Sequence, residues 1–209
     1  MYITLGIPQS LITNTLKAAL SAIPSYRVAV PRHEQALLRY VHRRTQPQLV
    51  ILADGWPTHP LLLGRDLLQA LPACQAYYLT YTPHPLSTAF ALRFGFRGIW
   101  SWADLNLTRL PDVLASGRDQ PAYLSPQVEA AYLNSLGRLL KLRVLTPTLH
   151  EVLLLMHLGH TERQIAERLV CTRNNIHQAQ RRLRQVLGVR SNADVLRYFV
   201  AQQEMVSDG

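Results

Sequence analysis

The sequence predicts two folded parts of different class, an α/β half followed by an all-helical part. Three observations predict it. Through residues 1–116, short apolar runs alternate with helix-spaced segments five times over. From Leu145 to Phe199 the apolar spacing is helical throughout. The chain has 209 residues, 48% hydrophobic and 17% charged, enough for two small cores and unlike a disordered chain.

The first half reads in order as follows. Tyr2 to Ile7 is an apolar strand, and Ser10 to Ala22 a helix with Leu11, Leu16, Ala19 and Leu20 at helical spacing. Tyr26 to Val30 is strand-like, and Pro31 starts a helix through Arg43. Leu49 to Ala53 is a central buried strand, followed by a helix from Leu61 to Leu71. Ala76 to Thr80 is a fourth strand; Leu86 to Phe94 is a helix ended by Gly95. Gly98 to Ser101 is a fifth strand and Ala103 to Ala115 a fifth helix. Five βα units of this length imply a doubly wound parallel sheet over residues 1–117.

Residues 118–144 connect the parts. Ser116 to Pro121 has turn composition, and Pro126 starts a helix broken near Gly137. Arg138, Lys141 and Arg143 follow, with a solvated face as the default for so short a charge run.

Residues 145–209 carry the most specific pattern. Thr161-Glu-Arg-Gln164 is a capping box opening a helix from Glu162 to Leu169. Val170-Cys171 is a brief turn, and Thr172 caps a helix from Arg173 to Val186. On that helix Ile176, Ala179, Leu183 and Val186 or Leu187 form one apolar stripe. The opposite face holds Asn174, His177, Gln178, Arg181 and Gln185, and the helix has no carboxylate. Two short helices joined by such a turn are a helix-turn-helix, whose second helix enters the major groove of duplex DNA. A face of donors suits that groove: Arg takes guanine O6 and N7, and Asn or Gln takes adenine N6 and N7. Ser191 caps a last helix, with Ala193, Leu196, Phe199 and Val200 read as inward.

Leu145-Thr-Pro, Glu151-Val-Leu, Gly159, Thr161, Ile165 to Leu169, Thr172, Ile176, Leu183 and Leu187-Gly-Val189 stand in register with a known pattern. On these residues the C-terminal part resembles the four-helix DNA-binding domain of LuxR/NarL-type regulators. The resemblance implies that His177, Gln178 and Arg181 face bases; Asn174, on the same donor face by helical spacing, is a further DNA-binding candidate. It implies that Arg163, Thr172, Arg173, Asn175 and Arg182 contact the backbone. It also implies dimerisation through the last helix, with Val195, Tyr198 and Gln202 exposed. The family often has Lys at the positions of His177 and Val186 and His at that of Ala179, so no sequence preference carries over.

Pro47 to Leu52, Pro57, Thr80 and Ala91 to Gly98 are similarly placed in the N-terminal half, which resembles the receiver domain of two-component response regulators. The chemistry of a receiver does not carry over. The family's acidic pair falls on Ile7 and Pro8, its phosphoacceptor aspartate on Ala53 and its lysine on Trp102; Thr80 remains. Asp54 is one residue past the acceptor position, which turns its side chain to the other face unless a bulge intervenes. Without clustered carboxylates there is no Mg²⁺ site and no phosphoryl transfer. The expectation is a pseudo-receiver with a pocket mouth of Ile7, Pro8, Ala53, Trp56 and Trp102. That mouth is either filled by packing or binds an apolar or aromatic ligand.

The charge is +9, spread as 11 Lys and Arg against 6 Asp and Glu in residues 1–127 and 11 against 7 in 128–209. Nucleic-acid binding is therefore argued from one helix face, not from a basic tail. Cys74 and Cys171 suggest inert core thiols in a reducing cytosol. The eight histidines show no metal-ligand spacing, and no phosphate loop or nucleophile elbow appears. No apolar run spans a membrane and no signal peptide is visible.

The expectation is a cytoplasmic, non-enzymatic transcription regulator without cofactor, metal or membrane partner, binding an inverted repeat of double-stranded DNA as a homodimer. Two alternatives stand beside it: an auxiliary regulator that heterodimerises with another transcription factor, and a ligand sensor using the altered pocket.

Overall fold

The computed structural model describes residues 1–8, 11–43, 48–115 and 120–200. The chain divides into two compact units, Met1–Pro83 with Ser87–Glu129, and His84–Leu86 with the chain from Ala130 onward. Ser10, residues 116–119 and Gln202 lie outside the described residues, as does the side chain of Leu11.

The first unit is a six-stranded, all-parallel sheet: β1 (Tyr2–Gly6), β2 (Arg27–Ala29), β3 (Gln48–Ala53), β4 (Gln75–Thr80), β5 (Gly98–Ser101) and β6 (Tyr123–Leu124), in the order β2-β1-β3-β4-β5-β6. Between them run α1 (Leu11–Ser21), α2 (Glu34–His42), α3 (Pro60–Ala70), α4 (Pro85–Phe94) and α5 (Leu110–Ala115). All six residues of β3 are buried, as a central strand covered on both faces requires. Alternation sends Ile3, Leu5 and Ile7 of the first strand, with Leu49, Ile51 and Ala53 of the third, into one layer. Leu16 and Leu20 of α1 and Leu110 and Leu114 of α5 complete it. Burying each large side chain stabilises the fold by about 1.5–3 kcal/mol.

Three readings of the sheet unit need correction. The second helix starts at Glu34, not Pro31, because the His33 ring caps it by accepting the Ala36 N–H at 3.2 Å. The fifth helix is only Leu110–Ala115. Before it stand a 3-10 turn, Trp102–Asp104, and a turn in which Asn106 Oδ1 accepts from Thr108 N at 2.9 Å. The connecting residues hold a sixth strand, paired in register Gly98↔Tyr123 and Ile99↔Leu124. Asp104 pins it by accepting from the Ser125 hydroxyl at 2.8 Å and the Gln127 amide at 2.7 Å.

The chain continues through α6 (Pro126–Asn134), α7 (Leu136–Leu139) and a 3-10 turn (Leu140–Val144). The break falls at buried Ser135, not at Gly137.

The second unit also contains α8 (Pro147–His157), α9 (Glu162–Arg168), α10 (Arg173–Leu187) and α11 (Asn192–Tyr198). Its central helix, α10, packs against the other three. Val152, Leu153, Ile165, Ile176, Leu183, Val195 and Phe199 are buried together in its core. In α11 the inward face is Val195 and Phe199, one helical turn apart. Val195 is thus core and not an exposed dimer contact, while Ala193 and Val200 are exposed.

Candidate nucleic-acid interface

Local chemistry fixes both helices of the motif. Thr161 accepts the Gln164 N–H at 3.3 Å while its own N–H donates to Gln164 Oε1 at 2.8 Å, closing the capping box. Thr172 starts α10 by accepting the Asn175 N–H at 3.2 Å, and its hydroxyl donates to Asn175 Oδ1 at 2.9 Å. Gly188, left-handed at φ 70°, ends α10. The turn reverses at Val170, which has φ 51° and is 92% exposed, so a β-branched side chain occupies a left-handed position with no packing in return.

Arg163, Thr172, Arg173, Asn174, Asn175, His177, Gln178, Arg181 and Arg182 are all exposed. Helical geometry sets Asn174, Gln178, Arg181 and Gln185 opposite the buried Ile176, Leu183 and Leu187, with His177 on one flank and Asn175 and Arg182 on the other. Arg163 lies on α9, its guanidinium 3.5 Å from Glu167 one turn on.

Two features escaped the sequence reading. Glu162, in the first turn of α9, brings Oε2 to 3.1 Å from His177 Nε2, so the imidazole enters any DNA contact already held by a carboxylate. Gln180 is buried on the core side of α10; its Oε1 accepts from Asn192 Nδ2 at 3.0 Å, and Arg184 donates to Asn192 Oδ1 at 2.5 Å. This network ties α10 to the start of α11 and fixes its rotation. A polar residue four after Ile176 and three before Leu183 is the signal that could have revealed it.

The strand ends of the first unit differ from the expected pocket. Ile7 and Ala53 are 2% and 1% exposed and belong to the core layer, with Trp102 packed against it. Trp102 also stacks on Tyr81, ring centroids 5.3 Å apart. These three residues fill the mouth instead of lining it; Pro8 and Trp56 face a separate cavity. Asp54 accepts from the Tyr78 hydroxyl at 2.9 Å and the Tyr81 N–H at 3.3 Å, with His59 Nε2 at 3.9 Å. Burial first, and Asp54 second, push the Tyr78 hydroxyl far above its ordinary pKa, so it stays a donor. Thr80 is engaged by its neighbour: its hydroxyl donates to the Thr82 carbonyl at 3.2 Å. Among the described residues no group of three His, Cys, Asp or Glu side chains could hold a metal ion, and no helix is long and apolar enough to cross a membrane.

No protein-family model and no curated protein sequence matches the chain. Solved structures do. One is RcsB from Salmonella enterica serovar Typhimurium bound to promoter rprA with phosphomimetic BeF3-. It is 21% identical at a TM-score of 0.68, covering 95% of this chain and 98% of that one. A complex of the two-component response regulator RcsB with DNA is 20% identical at 0.59, covering 95% and 96%. A structure of two RcsB dimers bound to two parallel DNAs is 19% identical at 0.58, covering 95% and 97%. The chain therefore has the two-part fold of these response regulators, a receiver-like α/β unit and a helix-turn-helix unit.

Proposed function

We propose that this chain is a sequence-specific, DNA-binding transcription regulator, cytoplasmic and non-enzymatic, that works without phosphoryl transfer. The observation that carries the reading is the solvent-facing side of α10, where Asn174, Gln178, Arg181 and Gln185 form an unbroken row of donors backed by a buried stripe. Similarly folded RcsB chains bound to promoter DNA support it. Arg181 and Gln178, with Asn174 and His177 beside them, read base edges; Arg163, Thr172, Arg173, Asn175 and Arg182 hold the phosphates. Two copies on an inverted repeat place one α10 in each major groove, a mode supported by the RcsB dimers seen on DNA. Independence from phosphorylation is supported by Ile7 and Ala53, which put buried apolar side chains where carboxylates would be needed.

Arg181→Ala tests the base-reading role. Binding to the preferred sequence should weaken by about 1–3 kcal/mol and one base position should lose its preference. Equal weakening on every sequence would make Arg181 a phosphate contact. Arg163→Ala should weaken all sequences alike and lower the salt slope by about 1.

A further inference from the structure

We propose that the crevice at the carboxyl ends of β1, β2 and β3 is a binding site for a small aromatic monocarboxylate. The first strand lies between the second and third, so the chain leaves its two sides in opposite directions, and such a switch point opens a crevice in a doubly wound sheet. Here it holds a cavity of about 610 Å³, within the range of about 300–1,000 Å³ usual for small-molecule sites. The filled receiver mouth does not form it; neither Ile7, Ala53 nor Trp102 lines it.

Its lining combines apolar side chains with side chains that carry donors. Pro8, Trp56 and Pro57 supply the apolar wall. Gly55 brings the loop after β3 onto Pro8: at φ +110° it takes a conformation side chains avoid, and a Cβ there would come within 2.8 Å of the Pro8 ring. A flat ligand ring against the Trp56 indole would bury apolar surface on both partners. The lining also includes Arg32, His33 and Gln35, all of which carry side-chain donors. Arg32 is exposed, and its guanidinium fork matches a carboxylate with two parallel donors. His33 Nδ1 is committed to capping α2, so its neutral ring carries the proton on Nε2, a second donor. Glu34 also lines the cavity, its Oε2 held by the Thr58 N–H at 3.3 Å. Its charge offsets that of Arg32, so the lining has no net positive charge to hold a phosphate ester carrying two charges, while the Arg32 fork can still pair with one carboxylate.

The test uses the full chain labelled at its three indoles, Trp56, Trp100 and Trp102. The Trp56 Nε1–H signal is assigned by its loss in Trp56→Phe. Phenylacetate and indoleacetate are titrated to millimolar concentration, with phenylacetamide as the uncharged match. The Trp56 signal should move saturably with at least one acid, while buried Trp100 stays put. Arg32→Gln, at an exposed position, should keep the Trp100 signal and weaken binding about tenfold or more. Tighter binding of L-phenylalanine than of phenylacetate also supports the site, with Glu34 taking the ammonium. No saturable shift from either acid, phenylacetamide binding as well as phenylacetate, or unchanged affinity in Arg32→Gln overturns the proposal. DNA binding is not part of the readout, so these outcomes leave the proposed function untouched.

Discussion

The sheet ends of the first unit and the outer face of α10 occupy equivalent places in their units, each where a fold of this kind puts its chemistry. They have gone opposite ways. At the sheet ends, Ile7 and Ala53 lie in the core and Asp54 is spent joining the loop after β3 to Tyr78 and Tyr81. On α10, Asn174, Gln178 and Arg181 stay in solvent while Ile176 and Leu183 hold the helix from behind. At the sheet ends apolar packing occupies the place; on α10 packing and polar groups stand on separate faces. Polar groups stay available to solvent where they need not be buried, because burying them unpaired costs free energy.

The sharpest way to break the comparison is Ala53→Asp. It places a carboxylate in an apolar layer, with the neighbouring Asp54 carboxylate already committed to Tyr78 and Tyr81. A loss of about 3–5 kcal/mol in stability is expected, with no phosphoryl uptake from acetyl phosphate. A stable variant that becomes phosphorylated would mean that these strand ends support phosphoryl transfer once an acceptor is supplied. On the other side, Leu183→Ala should cost about 2–5 kcal/mol and remove DNA binding with the fold. Arg181→Ala should leave the melting temperature in place, and a fall comparable to that of Leu183→Ala would show that the two faces of α10 are not separable.

Gln180→Ala leaves Asn192 without one partner and should cost about 1–3 kcal/mol, measurable by urea unfolding. Val170→Gly should instead raise stability by about 0.5–1 kcal/mol, relief of the left-handed strain exceeding the added chain entropy. A loss there would assign Val170 a contact its exposure does not show. The smallest effect concerns Asp194, whose carboxyl is held below the ordinary carboxylate range by the Ser191 hydroxyl first and the Ser191 amide second. The support it lends to α11 is then complete above the ordinary Asp pKa and fades as pH falls through the lowered one. A carboxyl NMR titration with its midpoint at or above that of a free Asp would remove the effect.

Much of the fold was legible because it rests on local periodicity. β5 spans Gly98–Ser101, the residues read as the fifth strand, and the caps at Thr161 and Thr172 follow from hydroxyls three residues ahead of the amides they accept. What was hidden depends on partners distant in sequence. The sixth strand has only two residues and exists because β5 offers an edge and Asp104 reaches Ser125 and Gln127. Val195 turned inward because the cap at Ser191 sets the helix phase. The exposed residues of α10 were readable from spacing alone. The Glu162–His177 pair was not, since it spans two helices, and no pattern within either shows which side chains meet.

The measurement that bears most directly on the central claim is selection of bound sequences from a random duplex pool by the purified full chain, at low and near-physiological salt. The account predicts an enriched inverted repeat that persists at the higher salt. Binding without sequence preference that disappears with salt would leave only phosphate contacts and contradict it.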